Sequence, residues 1–144
     1  MARLKVLIAA ALLVGGAIAC SDVTGANARA DGVYQLQTIN GNSIPYAYVD
    51  NTTGHTLTVN SDIYSLNSDG SYSDQQLYMD NGLNRSYTES GSWSQNNNVV
   101  SFFPSQSSTG NLSTYQGTLN NSNVFGGTRT MSINFSGTVW LYSE

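Results

Sequence analysis

The residues able to do chemistry in this chain are few, and their spacing excludes most reaction types before any fold is considered. His55 is the only histidine and has no acid or cysteine at ligand spacing. Neither a zinc site nor a histidine-based triad can be built locally around it, and it reads as a surface residue. There is no Gly-x-Ser-x-Gly elbow and no phosphate-binding glycine loop. Beyond Lys5 the chain has no lysine at all, which rules out Schiff-base chemistry in the domain. What remains is carboxylates: Asp22, Asp31, Asp50, Asp62, Asp69, Asp74, Asp80, Glu89 and Glu144. Two acids facing each other could serve a glycosidase cleft, but most of these stand in or beside turn sequences, where Asp is favoured for its local backbone hydrogen bonds. The run Asn67-Ser68-Asp69-Gly70 shares spacing with part of a calcium loop but lacks the remaining ligands and the terminal glutamate, so it reads as a turn. No catalytic residue, metal or cofactor is expected, and a binding role is expected rather than an enzyme.

Glu89 stands apart from the other acids. It falls within an extended run on the same parity as Arg85, Tyr87, Gly91 and Trp93. It therefore lies either on a solvated face, paired with Arg85, or inside a barrel mouth. The rarity of buried charges favours the solvated face. The aromatics are the other clue, with nine Tyr, two Trp and four Phe among small polar residues. Tyr34, Tyr87, Trp93, Phe103 and Trp140 are the candidates for a ligand-binding interior, with Arg85, Glu89 and Arg129 as candidate interior charges. The competing reading is that these rings are simply the core, filling space that few aliphatic residues are there to fill.

The elements that would position them are strands. Period-two alternation dominates and no 11-residue window sustains a helical stripe. The clearest run is Thr130-Met131-Ser132-Ile133-Asn134-Phe135-Ser136, apolar at every odd position. Noisier runs are 33–39, 55–60, 63–66, 71–79, 85–93, 99–103, 112–119 and 138–142. Between them stand Asn40-Gly41, Asn67-Ser68-Asp69-Gly70, Asn81-Gly82, Asn96-Asn97-Asn98, Asn120-Asn121 and Ser136-Gly137, and Asn and Gly supply the positive φ of tight hairpin turns. Turns this frequent leave no room for crossover helices. The expectation is an all-β, antiparallel up-and-down barrel of about 8–10 strands, with a β-sandwich as the alternative.

Charge and leader fix the setting. Only 10% of residues are charged, against about 25% in ordinary soluble domains. Arg3 and Lys5 precede an apolar run from Val6 to Val14 and then small residues before Cys20. That order is the pattern of a secretory signal peptide, preceding the barrel as a helix too short to span a bilayer. Its removal leaves Arg29, Arg85 and Arg129 against nine acids, a net charge of −6. Nucleic acid is excluded as a partner, because phosphate tracking needs clustered positive charge.

Gly16-Ala17-Ile18-Ala19-Cys20 resembles the lipobox of bacterial lipoproteins. The resemblance implies that Cys20 carries a diacylglyceryl thioether and an acylated amino terminus, a two-chain anchor of the kind that holds stably. It also gives the single cysteine of an exported chain a role. Ser21 then implies the outer membrane if the source is Gram-negative. The expected organisation is a lipoprotein signal peptide over 1–19, a lipidated cysteine and flexible tether over 20–31, and a barrel over 32–144.

Two stretches of the domain resemble small bacterial lipocalin-like (calycin-type) lipoproteins. One is Gly32-Val33-Tyr34-Gln35-Leu36-Gln37-Thr38-Ile39-Asn40-Gly41-Asn42-Ser43-Ile44-Pro45. The other is Leu66-Asn67-Ser68-Asp69-Gly70-Ser71-Tyr72 followed by Tyr87 through Gly91-Ser92-Trp93. In the wider lipocalin group the opening aromatic packs under a basic residue from a late strand. Tyr34 holds the first position, and Arg129, on the parity of Met131, Ile133 and Phe135, is the candidate for the second. The resemblance implies a membrane-anchored envelope protein whose barrel binds a small apolar or amphipathic molecule. A carbohydrate-binding surface module and a structural or interaction lipoprotein with a filled core are the alternatives. The oligomeric state is left open.

Overall fold

In the computed structural model, residues 29–120 and 128–144 are described. The leader helix and Cys20 expected from the sequence lie outside them. Ten strands follow one another: β1 (Gly32–Ile39), β2 (Asn42–Ser43), β3 (Tyr46–Val49), β4 (Thr56–Leu66), β5 (Ser71–Asp80), β6 (Leu83–Asn96), β7 (Val99–Ser107), β8 (Tyr115–Asn120), β9 (Thr130–Phe135) and β10 (Thr138–Ser143). No helix occurs among the described residues. Each strand from β4 to β10 pairs antiparallel with the next, β10 pairs with β1, and β1 returns to β4. The result is a closed eight-stranded up-and-down barrel, the first of the two architectures that the alternation allowed.

The turns follow from local chemistry. Asn40-Gly41, Asn81-Gly82 and Ser136-Gly137 all have positive φ at both residues, the conformation whose twist matches a two-residue hairpin. Three strands carry an extra residue: Gln37 in β1, Asn60 in β4 and Ser105 in β7. Each bulge flips the parity of the side chains beyond it. In β4, for example, Val59 points inward before the bulge and Asp62, Tyr64 and Leu66 do so after it. The sequence runs 55–60 and 63–66 are thus a single strand. Pro104 sits beside the third bulge, beyond the stretch of β7 that pairs with β8, where its missing N–H costs no ladder bond.

The seam between β1 and β4 gives the barrel two different ends. Pairing between them covers only Gly32–Gln35 with Ile63–Leu66. Further along the strands part, and the chain between them fills the gap: β2 pairs with the end of β1, and β3 with the start of β4. This widened end is the mouth. At the other end Ala30 is fully buried, and its N–H donates to Gln95 Oε1 at 2.8 Å. The Arg129 guanidinium donates to the carbonyl oxygens of Arg29 and Asp31 and pairs with Glu144. Residues 29–31, expected to be tether, are therefore part of the closed end, because Arg129 satisfies their backbone and the barrel buries Ala30.

Between the ends the interior is filled with rings. Tyr64 packs on Phe102 and Tyr142 at centroid distances of 5.3 and 5.2 Å, and Phe102 packs on Tyr72 and Tyr115 at 5.1 and 4.9 Å. Offset and edge-on pairs of this kind add about 0.5–1.5 kcal/mol each beyond burial.

Candidate functional site

Above the packed rings, three carboxyl side chains from adjacent strands point into the barrel mouth. Asp62 comes from β4, Asp74 from β5 and Glu89 from β6, and they are only 3%, 5% and 7% exposed. Asp74 and Glu89 are direct cross-strand partners, so both occupy one face of the sheet. Arg85 does not pair with Glu89: it is exposed on the rim, where β6 runs past the barrel wall. The solvated reading of Glu89 is therefore corrected, and Arg85 is not an interior charge.

Phenols take the place of a cation around Glu89. The hydroxyls of Tyr72 and Tyr115 donate to its Oε1, and that of Tyr87 to its Oε2, all at 2.6 Å. Tyr64 adds a 2.9 Å contact to the Tyr115 hydroxyl. Three phenol hydrogen bonds supply the donors a buried carboxyl group needs. In return, burial and then the hydrogen bond to Glu89 raise the phenol of Tyr87 to about 12, and burial first of all raises that of Tyr72.

Asp62 and Asp74 form a second unit. Tyr142 donates to Asp62 Oδ2 at 2.8 Å, with Gln76 at 3.4 Å. The two aspartates also hydrogen-bond each other, which requires a proton between them. Burial is the main cause of a raised pKa at both. At Asp74 the bond to Asp62 and the charges of Asp62 and Glu89 add to it, pushing it up to about 10. One carboxyl of the pair is thus protonated at neutral pH, as expected where like charges cannot both ionise. The Oδ1 atom of each receives no other hydrogen bond.

These acids line a cavity of about 260 Å³ with the rings of Tyr48, Tyr64, Tyr87, Tyr115, Phe135 and Trp140. A second hollow of about 220 Å³ shares Tyr48, Phe135 and Trp140 with it. A third, of about 290 Å³, shares Tyr48, Gln76 and Tyr87 and reaches the rim at His55. His55 Nδ1 lies 2.8 Å from Asp80 Oδ1, a partner from the neighbouring strand that local spacing did not offer.

Of the five candidate aromatics, Tyr87 and Trp140 reach this cavity. Tyr34 and Trp93 are buried towards the closed end, where Trp93 Nε1 donates to the Asn67 carbonyl at 3.0 Å. The Arg129 charge acts on the Tyr34 phenol there, opposing the rise that burial causes. Phe103 is 44% exposed on the outer face. Opposite the inward Trp93 stands Phe102, and partners across a ladder share a face, so Phe102 takes the interior place expected for Phe103. Asp62, Asp74, Tyr64 and Tyr115 were not singled out in sequence. Asp62 was hidden by the bulge at Asn60, whereas Tyr72-x-Asp74-x-Gln76 carried a readable parity.

The fold and the site define a closed antiparallel barrel with a packed aromatic interior and an anionic, phenol-lined mouth. No protein-family model, curated protein or solved structure matches the chain. Among the described residues, no group of three or more His, Cys, Asp and Glu has the geometry to hold a metal ion.

Proposed function

We propose that the protein is a lipid-anchored, lipocalin-like barrel of the bacterial cell envelope that binds one small amphipathic molecule in its mouth. The observation that carries the binding reading is the cavity of about 260 Å³, walled by aromatic faces and a few convergent polar groups. Concave sites of that make-up hold small ligands. The volume suits a compact molecule rather than a long acyl chain, because the rings of Tyr64, Tyr72, Phe102 and Tyr142 occupy the barrel below it. The anchor reading is supported by Gly16-Ala17-Ile18-Ala19-Cys20, and Ser21 supports the outer membrane if the source is Gram-negative. A binding protein is preferred to an enzyme because fold alone assigns no chemistry and because Asp62 and Asp74 are hydrogen-bonded to each other, closer than the separation of about 5 Å or more that a glycosidase pair keeps.

A filled-core lipoprotein acting through partners is the second reading, and the ring packing favours it. Native mass spectrometry of the gently purified full chain separates the two. A reproducible excess mass lost on denaturation supports binding. A bare polypeptide mass that gains nothing from small-molecule mixtures supports the filled core. The anchor is tested separately by fractionation: Cys20→Ala should move the protein from membrane to soluble fractions, and persistence in the membrane would overturn the assignment.

A further inference from the structure

We infer that the ligand of the mouth is a small organic cation, a primary ammonium group on a compact apolar body, seated between Asp62 and Asp74. The inference rests on the binding reading above and deepens it.

Three features of the site point the same way. First, the cavity wall carries three carboxyl groups and no lysine, arginine or histidine among the described residues. Second, the acids are not equivalent. Glu89 takes three phenol donors, whereas Asp62 and Asp74, 3% and 5% exposed, are hydrogen-bonded to each other. Without the proton they share, these buried oxygens are acceptors short of donors, which is costly. An ammonium has three N–H donors and no acceptor; a quaternary amine has none to offer, and a carboxylate or phosphate would be repelled. Third, the remaining wall is aromatic, with Tyr48, Tyr64, Phe135 and Trp140 presenting ring surface. Such surface takes an apolar body and adds cation–π attraction.

The aspartate pair holds a proton where the ammonium would sit. Facing Asp74 are Asp62 and Tyr64 of β4, Tyr87 and Glu89 of β6 and Tyr142 of β10, with Tyr115 of β8 behind Tyr64 and Glu89. All of them are acids or phenols. Entry of one ammonium therefore expels the shared proton of the aspartate pair to solvent, and the charge of the site is conserved. Binding should tighten as pH rises, by up to about tenfold per pH unit for one released proton.

The test is calorimetric titration of the full chain with three probes of similar shape: β-phenylethylamine, 2-phenylethanol and phenylacetate. The expected result is binding of the amine, at least tenfold weaker binding of the alcohol, and none of the carboxylate. Between phosphate and Tris the apparent heat should differ by the difference of the two buffers' ionisation heats, taken for about one proton. Asp62→Asn and Asp74→Asn should each weaken the amine at least tenfold, with melting temperature confirming the fold. Alcohol binding as tight as amine binding, or amine binding without proton release, overturns the cation assignment and leaves a binding barrel. Silence from all three probes also overturns it, and a bare native mass in the same sample then removes the binding reading as well.

Discussion

Asp74 shows how one buried acid sets the pH behaviour of the protein. Its pKa is raised from 3.8 to about 10 by burial and by its acidic neighbours. Above about pH 4 the unfolded chain gives up the proton that the folded barrel keeps, so stability declines as pH climbs from there towards 10. Asp50 and Asp69 act in the opposite direction. Turn hydrogen bonds lower both below 3.8, so their contribution is lost as pH falls through that range. Thermal melts should therefore show maximum stability at mildly acidic pH, near 4–5, rather than at neutrality. Asp74→Asn should flatten the decline and stabilise the fold at pH 7. At 1.36 kcal/mol per pH unit, the limit for the interval between 3.8 and 7 is about 4 kcal/mol. A neutral-pH melting temperature below the parent's would refute this account. Glu89 makes the opposite case, because its three phenol partners would be orphaned by truncation. Glu89→Ala should cost about 3 kcal/mol or more in urea unfolding, whereas Asp74→Asn gains.

At the level of strands, alternation and turn chemistry made most of the wall legible. The Asn-Gly and Ser-Gly hairpins fall where the sequence placed them, and 130–136 reads directly as a strand with Met131 and Ile133 inward. Bulges are what the pattern could not reveal, because one extra residue inverts the faces without any compositional mark. Asn60 concealed Asp62 in this way. In β7, the adjacent pair Phe102-Phe103 satisfied either parity, and only pairing with β6 decides between them. The short β2 and β3 were also unreadable, since they gain their regular form from the opening between β1 and β4. One prediction belongs here. Gly91 lies at the β6–β7 irregularity, and a Cβ there would run into the Phe103 carbonyl and the Pro104 backbone. Gly91→Ala should therefore cost about 1–3 kcal/mol through backbone displacement, read as a lower urea midpoint with an unchanged slope. An alanine variant as stable as the parent would mean that the strand pair yields freely at this point.

For the molecule as a whole, the consequence of two unlike ends is polarity. Residues 29–31 enter at the closed end, held by Arg129 beside Glu144, while the acids and open rings lie at the mouth. Arg129→Ala should loosen the closed end by about 1–2 kcal/mol and leave the mouth intact, so melting temperature falls while ligand affinity holds. Joint loss of both would show that the two ends are not independent. The same geometry dictates how the barrel is presented to its surroundings. Whatever grips the chain ahead of Arg29, a bilayer or a sensor chip, holds it from the base of the cup and not from the rim. Captured by its amino end, the protein should load ligand at an unhindered rate; captured through the thiol of a Gly82→Cys variant in the β5–β6 hairpin, it should load slowly. Under the binding and anchoring proposed above, traffic into the site would come from the aqueous phase, and supply by diffusion in water, not extraction from the membrane, would set how fast the cup fills.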